Sequence, residues 1–238
     1  MGTIADSQQD KNPRLIALKN HHQAAKRQRY LYVKRVFDLL ICLSGLPVVL
    51  FLIVIFAIAI ALDSSGSPIF TQERVGKDGR RFQLFKFRTM RHDYDDPEHR
   101  IFMQAFVIGQ NILSANNPGN ADHKPPIKRD ITRVGRVLRK TSLDELPQIF
   151  NVLKGEMSLI GPRPNVTWEV EKYQDWHYER LKVLPGITGL AQVRGRSSIT
   201  FDDIVKNDIE YIQKQCLKFD LQILWWTVRS VLGGKGAG

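Results

Sequence analysis

Cysteine is scarce in this sequence: Cys42 and Cys216 are the only two among 238 residues. Two thiols so far apart provide no disulfide framework, and with the histidines scattered elsewhere they make no zinc pattern. Two reduced, buried thiols in a cytoplasmic setting are the expectation. Acidic residues are outnumbered as well, with 24 Asp and Glu against 35 Lys and Arg, a net charge of +11 and a pI near 9.8. A chain this basic usually meets a polyanion, whether nucleic acid, an anionic membrane face or phosphorylated substrates. With neither zinc spacing nor a helix-turn-helix pattern, a nucleic-acid partner is not expected. Internal repeats and low-complexity tracts are missing too.

Long apolar runs are absent with one exception: residues 39–62 contain no charge. As a straight helix this run would be about 36 Å long, at about 1.5 Å per residue. That suffices to cross a hydrocarbon core of about 30 Å. Two features oppose a simple crossing. Pro47, next to Ser44 and Gly45, lacks a backbone donor and crowds the preceding turn, so a kink or break is expected there. Basic residues also flank both ends, Lys34 and Arg35 before and Arg74, Lys77, Arg80 and Arg81 after. The positive-inside rule cannot place both flanks of a spanning helix on the cytoplasmic side. A re-entrant helix that enters and leaves by one leaflet satisfies it, with a true span and a buried core helix as competing readings.

Residues 1–35 carry Lys11, Arg14, Lys19, Lys26, Arg27, Arg29, Lys34 and Arg35 against Asp6 and Asp10. The apolar run begins too far in for a cleaved signal peptide, and Asp6 stands where a myristoylation signal wants Ser or Thr. The expected organisation is a basic arm on an anionic membrane surface over 1–33, a re-entrant membrane helix over 34–63, and a catalytic domain with interfacial helices over 64–238. Residues 69–73 and 82–88 read as two strands around a Gly76-Lys77-Asp78-Gly79 loop, with a bulge expected between Leu84 and Phe85. Helices are expected over 97–113, 131–138, 143–153 (stopped by Gly155), 166–183 and 217–232, and a loop over 116–128. Trp225-Trp226 between Lys218 and Arg229 suits a helix in a membrane interface; an ordinary core helix is the competing reading. The fold class is therefore α+β, mostly helical with a small β-hairpin.

Ser142-Leu143-Asp144-Glu145-Leu146-Pro147-Gln148 is the main chemical candidate. Ser142 and Glu145 have capping-box spacing ahead of an apolar stripe, so pattern alone favours a helix start. Its surroundings argue for more. Arg133, Arg136, Arg139 and Lys140 precede it, and Gly161-Pro162-Arg163-Pro164 follows, where two prolines stiffen the backbone that launches Arg163. Adjacent carboxylates beside guanidinium groups suit phosphoryl transfer, supplying a nucleophile and a hold on a divalent cation while Arg and Lys offset phosphate charge. Pro185-Gly186-Ile187-Thr188-Gly189, followed by Gln192, Arg194 and Arg196, reads as a tight turn able to cradle phosphate.

Taken in order, these segments resemble a known family. Lys34-Arg35-Val36-Phe37-Asp38, the apolar run with Pro47, Phe70-Thr71-Gln72-Glu73-Arg74-Val75-Gly76, Lys86-Phe87-Arg88-Thr89-Met90, residues 142–148, Asn151-Val152-Leu153-Lys154-Gly155, 161–164 and 185–189 resemble the bacterial sugar transferases. These are monotopic polyprenyl-phosphate phosphoglycosyl transferases, and the resemblance covers roughly residues 34–232. It implies a re-entrant helix broken at the proline and a two-step reaction. Asp144 would attack the β-phosphate of a UDP-sugar, release UMP and form a phosphosugar-aspartyl intermediate, which the phosphate of undecaprenyl phosphate then attacks. Glu145 would pair with Asp144. Asp144, Glu145 and Asp208 are implied for Mg²⁺, and Lys86, Arg88, Arg139 and Arg163 for phosphate contacts, with Gln192 and Arg196 completing the substrate-binding set. The implied location is the cytoplasmic face of the bacterial inner membrane, in contact with membrane lipids, and a homodimer in the membrane plane is allowed.

Leu184 departs from the family, which commonly has a basic residue before the Pro-Gly-Ile-Thr-Gly turn; Lys182 or Arg180 are the candidates to compensate. The chain resembles the compact form of the family, without a run of four further membrane helices. A catalytically silent membrane scaffold that recruits glycosyltransferases is the alternative reading. The sequence does not identify the sugar.

Overall fold

The computed structural model describes residues 13–91, 97–109, 131–195 and 199–233, the side chains of 13–24, 97–99 and 232 excepted. Helix α1 (Pro13–Asp63) is continuous. Its apolar part has a mean hydropathy of 3.0 and, with its length, meets the requirement for crossing a membrane. One stripe of α1 packs on the rest of the protein: Lys34, Asp38, Cys42 and Ile60 are buried, and Leu46, Val49, Ile53 and Phe56 lie between them against the core. The spacing of three or four residues is that of one helix face. The opposite face leaves Leu40, Val48, Phe51, Val54, Ile58 and Leu62 exposed.

After a turn at 64–68, strands β1 (Ile69–Val75) and β2 (Arg81–Phe87) form an antiparallel hairpin. Helix α2 (Pro97–Val107) follows, and α3 (Arg133–Thr141) leads into a 3₁₀ helix (Leu143–Gln148) and α4 (Ile149–Lys154). Strand β3 (Ser158–Ile160) pairs in parallel with β4 (Gly186–Thr188). Between them lie α5 (Thr167–Val170) and a 3₁₀ helix (Asp175–Lys182). Helices α6 (Leu190–Arg194), α7 (Phe201–Lys214) and α8 (Leu217–Leu232) complete the chain. β2 contributes to two separate cores. Phe82 and Leu84 pack with Ile149, Val152 and Met157 under the middle of α1, while Phe87 packs with Leu138 and Ile60 under its end.

Several expectations are corrected. The helix is not broken at Pro47. A proline removes one intrahelical bond, here to the Leu43 carbonyl, and Pro47 and Ser44 lie on the exposed side, where that loss is tolerated. No bulge interrupts β2, because Leu84 and Phe85 pair one-to-one with Gln72 and Thr71. The buried residues change face because the strand is covered on both sides. Ser142 does not cap a helix with its hydroxyl. It adopts left-handed backbone geometry (φ 58°) and ends α3, its amide donating to the Arg139 carbonyl. The single helix expected over 166–183 is two short elements. The loop expected over 116–128 lies outside the described residues, as do 1–12 of the basic arm.

The 185–189 segment is strand rather than an open phosphate cradle. The Gly186 amide donates to the Pro162 carbonyl and the Gly161 amide to the Thr188 carbonyl, both at 2.9 Å. The two backbones meet so closely that a Cβ on Gly186 would lie 2.0 Å from the Gly161 nitrogen. Backbone cannot yield as a side chain can. Gly186→Ala should therefore lower stability by about 1–3 kcal/mol, read as a lower midpoint in denaturant unfolding of the detergent-solubilised protein.

Candidate active site

The left-handed turn at Ser142 ends α3 and redirects the chain into the 3₁₀ helix that carries Asp144 and Glu145. The hairpin packs against this helix, so Lys86 from β2 reaches both acids: its Nζ lies 3.2 Å from Glu145 Oε1 and 4.0 Å from Asp144 Oδ2. Arg163 reaches Glu145 from the other side, Nη2 to Oε1 at 2.8 Å. Glu145 is thus held by two cations through one oxygen. Among the described residues, the Asp144 carboxylate has no hydrogen bond, and Lys86 at 4.0 Å is its nearest ion partner.

Electrostatics separate the two acids. Burial pushes the Asp144 carboxyl above the usual aspartate range; Lys86 opposes this, and the neighbouring Glu145 charge adds to it. Burial would raise Glu145 too, but Arg163 and Lys86 together bring it down to about 2. Lys86 itself is lowered by burial against the pull of Glu145. One acid is therefore locked as a charged anchor, while the other is more basic and keeps its lone pairs available.

Arg163 is fixed from behind. Arg180, 2 % exposed, donates to the Arg163 carbonyl at 3.0 Å, to Asn165 Oδ1 at 2.6 Å and to the Tyr173 hydroxyl at 2.8 Å. Its Nη2 pairs with Asp208 Oδ2 of α7 at 2.7 Å. Arg74 of β1, which burial lowers to about 10, donates to the Pro164 carbonyl at 3.2 Å. The stiff 162–164 segment is therefore held by two guanidinium groups, Arg180 buried and Arg74 half-buried.

The expected site residues divide accordingly. Asp144, Glu145, Lys86 and Arg163 come together, and Arg139 is close enough to act electrostatically on Asp144. Arg88 does not join them. It lies one residue beyond β2, and its guanidinium donates to the Ser64 carbonyl and hydroxyl at 2.7 and 3.0 Å, tying the turn after α1. Asp208 is the buried partner of Arg180 and is not brought to the Asp144–Glu145 pair; among the described residues, no group of three acidic, His or Cys side chains is placed to hold a metal. Gln192 donates to the Ile187 carbonyl at 3.4 Å and so faces the β4 segment. Arg196 lies outside the described residues. The sequence marks Arg74 only as a basic flank of the apolar run, marks no role for Asn151 and raises Arg180 only as a substitute for the missing basic residue at 184. Asn151 is fully buried, donates to the Gln83 carbonyl and accepts from the Phe85 amide, docking α4 on β2. A polar residue inside the α4 apolar stripe was the available signal.

Removing Asp208 leaves a guanidinium buried without its ion partner, a change that typically costs about 3–5 kcal/mol. Asp208→Asn should destabilise the protein on that scale in denaturant unfolding. A variant as stable as the parent would show that Asp208 does not serve as the anchor of Arg180.

Residues 29–234 match the family described as bacterial sugar transferase. The galactosyl transferase CpsE of Streptococcus agalactiae serotype III is 39% identical over 209 residues, covering 87% of this chain and 44% of CpsE. The undecaprenyl-phosphate galactose phosphotransferase of Salmonella typhimurium is 37% identical over 227 residues, covering 94% of this chain and 45% of that enzyme. The exopolysaccharide production protein ExoY of Sinorhizobium fredii is 35% identical over 204 residues, covering 86% of this chain and 87% of ExoY. The chain thus spans less than half the length of the first two relatives and most of the third. With the match extending from α1 to the end of α8, this chain belongs to the bacterial sugar transferase family.

Proposed function

We propose that this protein transfers a sugar-1-phosphate from a UDP-sugar to undecaprenyl phosphate, with Asp144 as nucleophile. One observation carries the reading: of two adjacent carboxylates, Glu145 is held by Lys86 and Arg163 through one oxygen, while among the described residues the Asp144 carboxylate has no hydrogen bond. In the first step an Asp144 oxygen bonds to the β-phosphorus, the bond from that phosphorus to the oxygen bridging the two phosphates breaks, and UMP leaves with the electron pair. In the second, an oxygen of the lipid phosphate attacks the same phosphorus, and Asp144 departs as carboxylate. A carboxylate approaches a phosphate only where cations offset the repulsion. Lys86 does so beside Asp144, and Arg163 commits one nitrogen to Glu145 and is otherwise exposed, with donors left for phosphate oxygens. The relatives named as undecaprenyl-phosphate sugar phosphotransferases support this class. They differ in the sugar, galactose in one and glucose in the other, and the donor sugar is left open here.

The residues present suit Mg²⁺. This ion is commonly held by one or two carboxylates together with substrate phosphates, and Asp144 with the second oxygen of Glu145 offers that donor set. When bound it would lower the negative charge of the diphosphate. Asp208, already paired with Arg180, is left out of this set.

Attachment from one side of the bacterial inner membrane, with the site on the cytoplasmic face, belongs to the same reading. Both ends of the apolar part of α1 pack on one folded body, which opposes a crossing that would separate them. The exposed face of α1 and the exposed Leu221, Trp225 and Val228 of α8 are the surfaces offered to lipid. This position would bring the site within reach of a membrane-bound acceptor for the first membrane step of glycan assembly.

Two tests address the chemistry. In protein purified in nanodiscs with Mg²⁺, undecaprenyl phosphate and a panel of UDP-sugars, Asp144→Asn should reduce UMP release by more than about 10³-fold. Retained turnover would remove Asp144 as nucleophile, and glycan assembly that survives loss of UMP release would favour the scaffold reading. The second test is the pH profile. Acid must protonate Asp144 before Glu145, because Asp144 is raised and Glu145 lies at about 2. Glu145→Gln deletes the neighbouring negative charge and frees two cations for Asp144, so both effects lower the Asp144 pKa. In this variant the acid limb of UMP release should move to lower pH, together with slower turnover by a less basic nucleophile. An unchanged limb would show that Asp144 does not set it.

A further inference from the structure

Strand β1 carries a second polar row beside the two acids. Residues opposite one another in an antiparallel pair project to the same side. Phe70 lies opposite Lys86, Gln72 opposite Leu84 and Arg74 opposite Phe82, so Gln72 and Arg74 share a face with Lys86. Both ends of this face close on one oxygen. Lys86 bonds to Glu145 Oε1 at 3.2 Å. Arg74 donates to the Pro164 carbonyl, and the preceding Arg163 bonds to the same Oε1 at 2.8 Å. Gln72 lies between these two reaches. Diagonal neighbours in such a pair are about 7–8 Å apart, which puts the Gln72 side chain within reach of the space beside the Lys86 ammonium.

Two observations say what the Gln72 amide meets. The first is its orientation. Its Oε1 accepts from Arg74 Nη2 at 2.6 Å, and because a guanidinium only donates, the amide nitrogen must be the other end. Gln72 is half-buried, and among the described residues its Nε2 has no partner. A residue that served only to hold Arg74 would do so more strongly as a carboxylate. An amide holds Arg74 with its oxygen and still offers a donor, without adding a negative charge. The second is the charge around it. Burial comes first in lowering both Lys86 and Arg74; the field of Arg163 lowers both further, and Arg74 lowers Lys86. Three cations crowded round two carboxylates, with a neutral donor among them, suit an anion rich in acceptor oxygens.

We infer that Gln72 is a further catalytic residue, which donates a hydrogen bond from Nε2 to a non-bridging oxygen of the donor's β-phosphate. The contact rests on the transfer reaction proposed above. That phosphorus is attacked first by Asp144 and then by the lipid phosphate, so one amide serves both steps. Arg74 is a positioning residue for it, since the bond to Oε1 keeps the donor end turned to the phosphate.

The test compares UDP, which carries the β-phosphate, with UMP, which lacks it. Binding of each is measured by calorimetry on the full chain in nanodiscs with Mg²⁺. Gln72→Met should weaken UDP about 10- to 100-fold, the scale of one hydrogen bond to a charged group, and leave UMP unchanged. UMP release from the UDP-sugar should slow by at least a similar factor. Gln72→Glu keeps an acceptor for Arg74, so the hairpin retains that bond, and it should lose UDP affinity at least as far. A double-mutant cycle separates a direct contact from an effect carried by Arg74: in an Arg74→Met background, Gln72→Met should still weaken UDP. No further loss in that background, or full UDP affinity in Gln72→Glu, overturns the contact and leaves Gln72 as an acceptor for Arg74. Equal losses of UDP and UMP overturn it in favour of recognition of the nucleoside or its α-phosphate. Turnover retained by Asp144→Asn, beside UDP losses at Gln72, removes the nucleophile and leaves the phosphate contact standing. A parent protein that binds neither nucleotide takes down the transfer reading and this contact together.

Discussion

Arg163 joins parts of the protein that are distant in sequence. Its guanidinium neutralises Glu145, delivered by the 3₁₀ helix after α3, and its carbonyl is gripped by Arg180, which α7 anchors through Asp208. Pro164 beside it is held by Arg74 from the hairpin. A cation on a flexible loop would lose side-chain and backbone freedom each time it met a phosphate. Here the backbone freedom is already reduced by two flanking prolines and by the bonds from Arg180 and Arg74 to the Arg163 and Pro164 carbonyls. The same contact decides which acid is available. Because Arg163 and Lys86 both bond to Glu145, their pull on Asp144 is outweighed by its burial and by the charge of its neighbour, which make it more basic. The difference between the anchored acid and the available one therefore follows from how two cations are shared between adjacent carboxylates.

Much of this was legible in the sequence, for reasons that also explain the failures. Alternation and turn residues marked the hairpin, the uncharged run marked the apolar part of α1 though not its start at Pro13, and Gly155 marked the end of α4, where its φ is +83°. Asp144, Glu145, Lys86 and Arg163 were named together and do meet. Arg88 is grouped with Lys86 by the family resemblance, but it lies one residue beyond β2, where the Ser64 turn is within reach. Asp208 shows a different limit. The resemblance implies a metal for it, and only the fold reveals that Arg180 lies opposite. β3 and β4 have three residues each, too few for any period, and their Gly and Pro read as a loop. The glycines are there because two backbones approach more closely than a Cβ allows.

The junction of α1 with the rest of the protein raises the question of why a helix so apolar begins its packed stripe with charge. Lys34 Nζ lies 3.3 Å from Asp220 Oδ2, and Asp220 also accepts from the Tyr30 and Tyr211 hydroxyls. Asp38 accepts from the Ser158 hydroxyl at 2.7 Å, next to β3. Ion pairs this deeply buried contribute little net stability compared with apolar packing, because desolvation offsets most of their attraction. They do discriminate strongly between arrangements, since a buried charge that loses its partner is costly. That discrimination is needed here. The apolar side chains of α1 would tolerate many rotations about the helix axis, as Leu, Val and Ile on one side resemble those on the other. A slip of one residue turns the helix by about 100°, which would strand Lys34 and Asp38 and turn Leu40 and Val48 away from their present exposed face. By making one rotation much better than its neighbours, the polar cluster at the start of the stripe fixes which apolar face is packed and which is left outward along the rest of the helix.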